Sequence, residues 1–229
     1  MLYMPFEPLY LYLVLPALLF AMWAQFKVKS SFRKYSGQRN CRGVTGAGAA
    51  REILRGAGLH DVRVERAGGS LTDHYDPRSN AIRLSDSVYD ARSVAAVGVA
   101  AHEAGHAMQY ASGYFPVRVR TAILPVTSVG SKLALPLAIL GFAFDITGLI
   151  NIAIMLFGAA ALFQLLTLPV EFNASRRAIS ALGDAGILGH DEIPASRKVL
   201  NAAALTYVAA LAVSLVHLLR FVLLANRRR

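Results

Sequence analysis

The residues best suited to chemistry lie within one five-residue stretch of the chain. His102 and His106 are four positions apart, and Glu103 follows the first of them directly. Residues four apart on an α-helix lie one turn apart on the same face, so both imidazoles can bind a single Zn²⁺. Glu103 is then placed to act as a general base toward a metal-activated water. We therefore predict a zinc site on a helix that starts near Asp90.

A catalytic zinc site requires a third protein ligand, and Glu171 is the carboxylate best placed to supply it. It follows the apolar stretch 165–170 directly, and an acid so close to an apolar span is costly unless it has a partner. A zinc ion is one such partner, and an ion pair with Arg176 or Arg177 is the alternative. The histidines weighed as alternatives are poorer candidates, since His217 lies inside an apolar run and His60 and His190 lie in turn-like contexts.

The composition of the 229 residues excludes an ordinary soluble domain. Apolar residues make up 55% of the chain and charged residues only 17%, with a mean hydropathy of +0.44. In soluble domains, apolar residues average roughly 45–50% of the chain and charged residues about 25%. The single cysteine, Cys41, excludes a disulfide scaffold and fits a reducing compartment. The net charge of +10 is concentrated beside apolar segments, without a nucleic-acid-binding motif, so we expect contact with the lipid bilayer and no nucleic-acid partner.

The apolar runs predict about four transmembrane helices, with one polar portion between the first and the second. The predicted divisions are an N-terminal anchor (1–26), a catalytic portion (27–120), a transmembrane helical hairpin (121–169), a third-ligand helix and loop (170–201), and a C-terminal transmembrane helix with a basic tail (202–229). Because the hairpin returns the chain to the side that it left, the portions before and after it face the same compartment.

The flanking charges predict the orientation of these spans. Basic residues follow the first span, so the N-terminus is expected outside and residue 27 onward in the cytoplasm. With four spans the terminal basic cluster 227–229 would lie outside, which conflicts with the same rule. Lys132 interrupts the second span, so either its side chain reaches back to the interface or the span starts after residue 131. The turn of the hairpin is expected near Asp145.

The catalytic portion carries the only β signal of the sequence. Its predicted elements are a short helix at 46–54, a strand around Val62 and Val64, a β-hairpin formed by 68–75 and 81–85, and then the helix with the two histidines. Turn residues at 76–80 connect the two strands of the hairpin. We therefore expect a mostly α membrane protein with a small α+β catalytic portion.

Three segments together resemble the YugP-like family of bacterial membrane zinc metallopeptidases. They are DHYDP (73–77), AHEAGHAMQ (101–109) and LPVEFNASRRA (168–178). The likeness covers nearly the whole chain and implies His102, His106 and Glu171 as zinc ligands, with Glu103 as the catalytic base. Asn173 stands where the family commonly has Asp, so it keeps a hydrogen-bond acceptor without the charge.

The order of the elements is also similar to that of zincin-like proteases of the HtpX type, which are gluzincins. In such enzymes the strand before the active-site helix pairs with an extended peptide, which binds with little sequence preference. Residues 71–75 are the candidate edge, and a purely structural hairpin is the alternative. His74 or Tyr75 is a candidate for oxyanion stabilisation, and a plain surface or core role is the favoured alternative for each. Asn173 and Arg176, which lie within about a turn and a half of Glu171, are candidates to support that ligand. For Arg176 and its neighbour Arg177, contact with lipid headgroups is the favoured alternative.

These features predict a multi-pass zinc metalloendopeptidase of the bacterial cell membrane, with its active site at the cytoplasmic face and peptides or proteins as substrates. One alternative is a site-2-type intramembrane protease, but the uninterrupted apolar part of the predicted helix, 94–101, is too short to span a bilayer. Another is a catalytically silent zinc-binding scaffold, which would be expected to lack Glu103. The oligomeric state is not predicted.

Overall fold

The computed structural model describes residues 8–226, within which the chain forms seven α-helices and three strands. The helices are α1 (Leu15–Ser36), α2 (Gly46–Gly56), α3 (Asp86–Tyr89), α4 (Val94–Ala111), α5 (Phe115–Ala143), α6 (Thr147–Asp184) and α7 (Ile193–Asn226). The strands are β1 (Arg63–Ala67), β2 (His74–Asp76) and β3 (Ala81–Ser85). The predicted fold class, a mostly α membrane protein with a small α+β portion, is confirmed. The basic cluster 227–229 and the first residues of the predicted anchor lie outside the described residues.

Four helical segments of residues 8–226 are long and apolar enough to cross a membrane, as predicted. They are Tyr10–Ser36, which begins with the π-helical turn Tyr10–Val14, Phe115–Ala143, Thr147–Asp184 and Ile193–Asn226. The break predicted near Asp145 is present, since α5 ends at Ala143 and α6 begins at Thr147. Asp145 has a φ of +58°, a left-handed conformation that reverses the chain. The exposed Lys132 lies inside α5, which continues through it.

Two of these helices extend beyond the apolar runs from which they were predicted. The predicted boundary after residue 169 falls inside α6, and the boundary after residue 201 falls inside α7. Pro169 removes only one backbone hydrogen bond from α6. Beyond it, four fully buried residues spaced by four pack one face of the helix and hold it in place. They are Val170, Ala174, Ala178 and Leu182.

The chain divides into two compact units, each with its own apolar core. Within the described residues, the helical unit consists of 8–25, 119–168 and 205–226, and the site unit of Phe26–Arg118 and Pro169–Ala204. In the helical unit, the rings of Phe142 and Phe221 stack with centroids 5.9 Å apart. In the site unit, buried aliphatic side chains from α2, β3, α4 and α6 form the core.

The three strands form one sheet in the order β1-β3-β2. The predicted hairpin is present in a shorter form, because β2 pairs antiparallel with β3 and aligns His74 with Arg83. Residues 68–73, predicted as strand, precede β2, and Asp76, predicted as a turn residue, belongs to it. The sequence did not predict that β1 pairs parallel with β3, aligning Arg63 with Ala81. Turn residues indicate antiparallel neighbours, whereas a parallel pair is joined by a crossover without such a signal. β2 therefore lies at an edge of the sheet, and the largely buried β3 lies at its centre.

The helix with the two histidines begins at Val94, so the start predicted near Asp90 is wrong by four residues. Asp90 instead ends α3 and forms an ion pair with Arg66. Ser93 is the N-cap of α4, and its Oγ accepts a hydrogen bond from the backbone N–H of Ala96 at 3.2 Å. A serine in this position satisfies one of the free N–H groups of the first turn, which makes it a better helix start than Asp90.

Two glycines on one face of α4 allow its close contact with α6 and α7. A methyl group at Gly105 would lie 2.5 Å from the backbone oxygen of Ala174 in α6. A methyl group at Gly98 would lie 2.4 Å from Oγ of Ser196 in α7. Since these glycines are two helical turns apart, they set how closely α4 packs against both helices. The contact at Gly105 lies at the level of the predicted zinc ligands.

Replacing Gly105 by Ala is expected to destabilise the site unit. The added methyl group meets backbone rather than a flexible side chain, so the helices must separate, at a cost of about 1–3 kcal/mol. Gly183→Ala on α6 is the matched control, because no atom of residues 8–226 lies within 4 Å of a methyl group there. We expect a lower thermal unfolding midpoint in detergent for Gly105→Ala, and an unchanged or higher one for Gly183→Ala. Equal midpoints would contradict the close helix contact.

Candidate metal centre

His102, His106 and Glu171 each offer one ligand atom within 4.8 Å of the others. Oε2 of Glu171 lies 3.2 Å from Nε2 of His102 and 3.6 Å from Nε2 of His106. Zinc bonds of about 2.0–2.1 Å in tetrahedral geometry place ligand atoms about 3.3 Å apart. The three donor atoms therefore fit a zinc ion, with α4 supplying two of them and α6 the third.

The burial of Glu171 supports a cation at this point. The residue is 2% exposed, and burying a carboxylate costs several kcal/mol unless charge or hydrogen bonds compensate it. Arg177, one of the two predicted alternative partners, donates from Nε to Oδ1 of Asn173 at 2.9 Å. Arg176 is exposed. Glu171 also pairs with the two histidines, which carry charge only when protonated.

The electrostatics of His106 favour positive charge in the same place. Burial alone would lower the pKa of His106, but the hydrogen bond and the charge of Glu171 outweigh it, with a further contribution from Glu103. The pKa of His106 is therefore raised above its ordinary value. In the metal-free protein, protonated His106 stabilises the fold below the ordinary histidine pKa, and this stabilisation is lost as pH rises through the raised value.

Two residues that were not singled out from the sequence contact the Nδ1 atoms of the two histidines. Nδ1 of His102 lies 3.2 Å from Oγ of Ser175, and Nδ1 of His106 lies 3.0 Å from Oε1 of Gln109. Gln109 is fully buried. The spacing in the sequence could have pointed to both residues, because Gln109 lies one helical turn after His106 and Ser175 lies one turn after Glu171, on the same helix faces. Spacing alone does not say which neighbouring helix such a side chain faces.

The remaining residues predicted for the centre differ in their surroundings. Glu103 is 7% exposed and lies beside His102 on α4. Oδ1 of Asn173 accepts hydrogen bonds from Gln109 and Arg177. Arg177, rather than the exposed Arg176, makes this contact. The roles predicted for Glu103, Asn173 and Arg176 stay predictions.

His74 and Tyr75, the two predicted oxyanion candidates, both lie on β2. His74 is exposed, and its Nδ1 is 2.8 Å from the backbone oxygen of Thr72. The hydroxyl of Tyr75 donates to Oδ1 of Asn80 at 2.8 Å, within the hairpin. The ring of Tyr75 lies 5.5 Å from the ring of Tyr110, so β2 packs beside the last turn of α4. Their predicted roles also stay predictions.

Comparison with known proteins defines the class to which this site belongs. Residues 10–226 match the family described as "Putative neutral zinc metallopeptidase". The chain therefore belongs to this family of zinc metallopeptidases, and Zn²⁺ is the cofactor that the family implies. A relative from Bacillus subtilis (strain 168), "Putative membrane protease YugP", is 49% identical over 216 residues, which are 94% of this chain and 96% of the relative. No solved structure matches the chain. The resemblance drawn from the three sequence segments is confirmed.

The raised pKa of His106 provides a test of the site in the metal-free protein. Histidine labelled with ¹⁵N should titrate at residue 106 above the ordinary value of about 6.5 in the wild type. In Glu171→Gln the carboxylate charge is gone and burial remains, so the pKa of His106 should fall below its wild-type value. A His106→Gln protein identifies the resonance. A wild-type pKa at or below the ordinary value would contradict the described contact with Glu171.

Proposed function

We propose that the protein is a membrane zinc metalloendopeptidase in which His102, His106 and Glu171 hold Zn²⁺ and Glu103 is the general base. The observation that carries the proposal is the convergence of two imidazole nitrogens and a buried carboxylate oxygen within 4.8 Å. Glu103 lies on the same helix as the two histidines, so α4 holds the base and two ligands in one rigid element. Membership of a zinc metallopeptidase family supports the reaction class.

The proposed mechanism assigns the proton transfers to Glu103. Zn²⁺ held by the three ligands supplies Lewis acidity, which lowers the pKa of water and polarises a carbonyl oxygen. Glu103 accepts a proton from water as the water oxygen bonds to the carbonyl carbon of the substrate. Glu103 then donates this proton to the amine nitrogen as the C–N bond breaks. Glu103 ends the cycle as the carboxylate with which it began.

We propose β2 as the edge to which an extended peptide substrate adds. β2 is the edge strand of the sheet that packs against α4, through the contact of Tyr75 with Tyr110. Backbone hydrogen bonds along this edge would bind peptides with little sequence preference. Of the two oxyanion candidates we favour His74, because it is exposed, whereas the hydroxyl of Tyr75 donates to Asn80.

The alternative of a site-2-type intramembrane protease is less well supported than the proposed metalloendopeptidase. It requires the two histidines to lie on a transmembrane helix, and α4 is not among the four membrane-spanning candidates of residues 8–226. α4 has only 18 residues, and most of them are buried within the site unit. The helix is therefore suited to a catalytic portion outside the bilayer core. A catalytically silent scaffold would be expected to lack the general base, so the presence of Glu103 counts against this second alternative.

Substituting the acids separates metal binding from catalysis. Glu103→Gln should keep one zinc per chain and lose cleavage of an unfolded protein substrate by roughly 10²–10⁴-fold, since only the general base is removed. Glu171→Gln should lose both zinc and cleavage. Glu192→Gln is a matched control: this glutamate is also buried, but its oxygens accept from the backbone N–H groups of Cys41 and Gly189. Elemental analysis and a cleavage assay on detergent-purified protein measure the two properties.

Each alternative has its own outcome in these experiments. Full cleavage by Glu103→Gln would exclude Glu103 as the base. Full zinc occupancy in Glu171→Gln would exclude the third ligand. Wild-type protein that binds zinc and cleaves no substrate would favour the silent scaffold. Wild-type protein without zinc would refute the proposed centre.

We further propose that the site unit faces the cytoplasm, and the single exposed Cys41 tests this orientation. The basic residues after the first span support it. A membrane-impermeant maleimide should leave Cys41 unlabelled in right-side-out membrane vesicles and label it once they are permeabilised. Phe144, which is exposed between α5 and α6, should lie on the opposite side of the membrane. A Phe144→Cys, Cys41→Ser protein should therefore be labelled in sealed vesicles. The reverse pattern would show an inverted orientation.

A further inference from the structure

We propose that Gln109, Asn173 and Arg177 form a hydrogen-bond relay that decides which ring nitrogen of His106 carries the proton. The relay keeps Nε2 of His106 free to bind Zn²⁺. The three residues are positioning residues, since they act through His106 rather than on the substrate. The inference rests on the proposed zinc site, and it assigns a role to polar side chains that the mechanism above does not use.

The relay starts from Arg177, whose guanidinium group can only donate hydrogen bonds. Nε of Arg177 lies 2.9 Å from one terminal amide atom of Asn173. That atom must therefore be the oxygen, Oδ1. The arginine thus fixes the orientation of the Asn173 amide, which has an acceptor at one end and a donor at the other.

Asn173 and Val170 fix the orientation of Gln109 in turn. Nε2 of Gln109 lies 3.0 Å from Oδ1 of Asn173 and 2.8 Å from the backbone oxygen of Val170. Both of these atoms accept, so this end of the glutamine is its NH₂ group. The other end, Oε1, therefore faces Nδ1 of His106 at 3.0 Å. Because Gln109 is fully buried, water does not compete for these bonds.

The orientation of Gln109 determines the tautomer of His106. Oε1 can only accept, so Nδ1 of the neutral imidazole must carry the proton and Nε2 must carry the lone pair. Nε2 is the atom that lies 3.6 Å from Oε2 of Glu171. The relay therefore presents the lone pair of His106 toward the third ligand. Losing such a supporting contact costs roughly 10–100-fold in metal affinity.

His102 lacks an equivalent constraint at its Nδ1. The group facing that nitrogen is Oγ of Ser175, at 3.2 Å, and a hydroxyl can either donate or accept. It can adapt to both tautomers, so it selects neither. The two histidines are thus expected to differ, and Ser175→Ala should weaken zinc binding less than breaking the relay does.

Substitutions at Asn173 give a matched pair for testing the relay. Asn173→Leu keeps the size of the side chain and removes the acceptor. Asn173→Asp keeps an acceptor for both Gln109 and Arg177. We expect zinc affinity, measured by competition with a chelator on the detergent-purified full chain, to fall roughly 10–100-fold in Asn173→Leu. It should stay close to the wild-type value in Asn173→Asp.

A second readout examines the tautomer without any metal. In ¹⁵N spectra of the metal-free protein, at a pH above the pKa of His106, the wild type should carry the ring proton on Nδ1. Asn173→Leu should show a smaller share of this tautomer than the wild type, because only the backbone oxygen of Val170 then holds the NH₂ end of Gln109. Asn173→Asp should show only the wild-type tautomer. Arg177→Met removes the first donor of the relay and should change the spectrum in the same direction, which covers the case that Asn173→Leu does not fold.

The outcomes separate this inference from the proposed function. Wild-type zinc affinity together with an unchanged tautomer in Asn173→Leu and Arg177→Met would overturn the relay and leave the zinc site standing. A wild type that binds no zinc would refute the proposed function. The tautomer spectra would still test the relay in that case, because they need no metal.

Discussion

The backbone contact between α4 and α6 is the constraint on which the site depends. Gly105 leaves room for the backbone of Ala174, and the ligands lie within one turn of these two residues. The histidines are fixed relative to each other by a single helix, whereas Glu171 reaches them only because the two helices cross so closely. The residues between the histidines are thus part of the site, since one of them sets the distance to the third ligand.

The second constraint is the cost of burying polar groups. Glu171 and Gln109 are both almost completely buried, and each has partners that match its chemistry. The carboxylate of Glu171 places negative charge beside two imidazole nitrogens, a donor set that favours a cation. The amide of Gln109 connects the turn of α4 that carries His106 to the turn of α6 that carries Glu171. The same side chain therefore joins the two helices and orients one ligand.

Much of this arrangement follows from sequence patterns with a local physical basis. The spacing of His102 and His106 predicted their common helix face, the apolar runs predicted four spans, and the cost of an acid beside an apolar run singled out Glu171. Other features depend on contacts between distant segments. The parallel pairing of β1 with β3 has no turn signal. The choice of Arg177 over its neighbour Arg176 depends on which face of α6 meets α4, and no single-helix pattern reveals that.

X-ray absorption at the zinc edge of the purified protein tests the central claim most directly, because it reads the ligands of the metal. We expect a first shell of nitrogen and oxygen atoms at about 2.0–2.1 Å, with the outer-shell scattering of two imidazoles. Glu103→Gln should give the same spectrum. Sulfur at about 2.3 Å, which only Cys41 or a methionine could supply, or a shell without imidazole, would contradict a centre built from His102, His106 and Glu171.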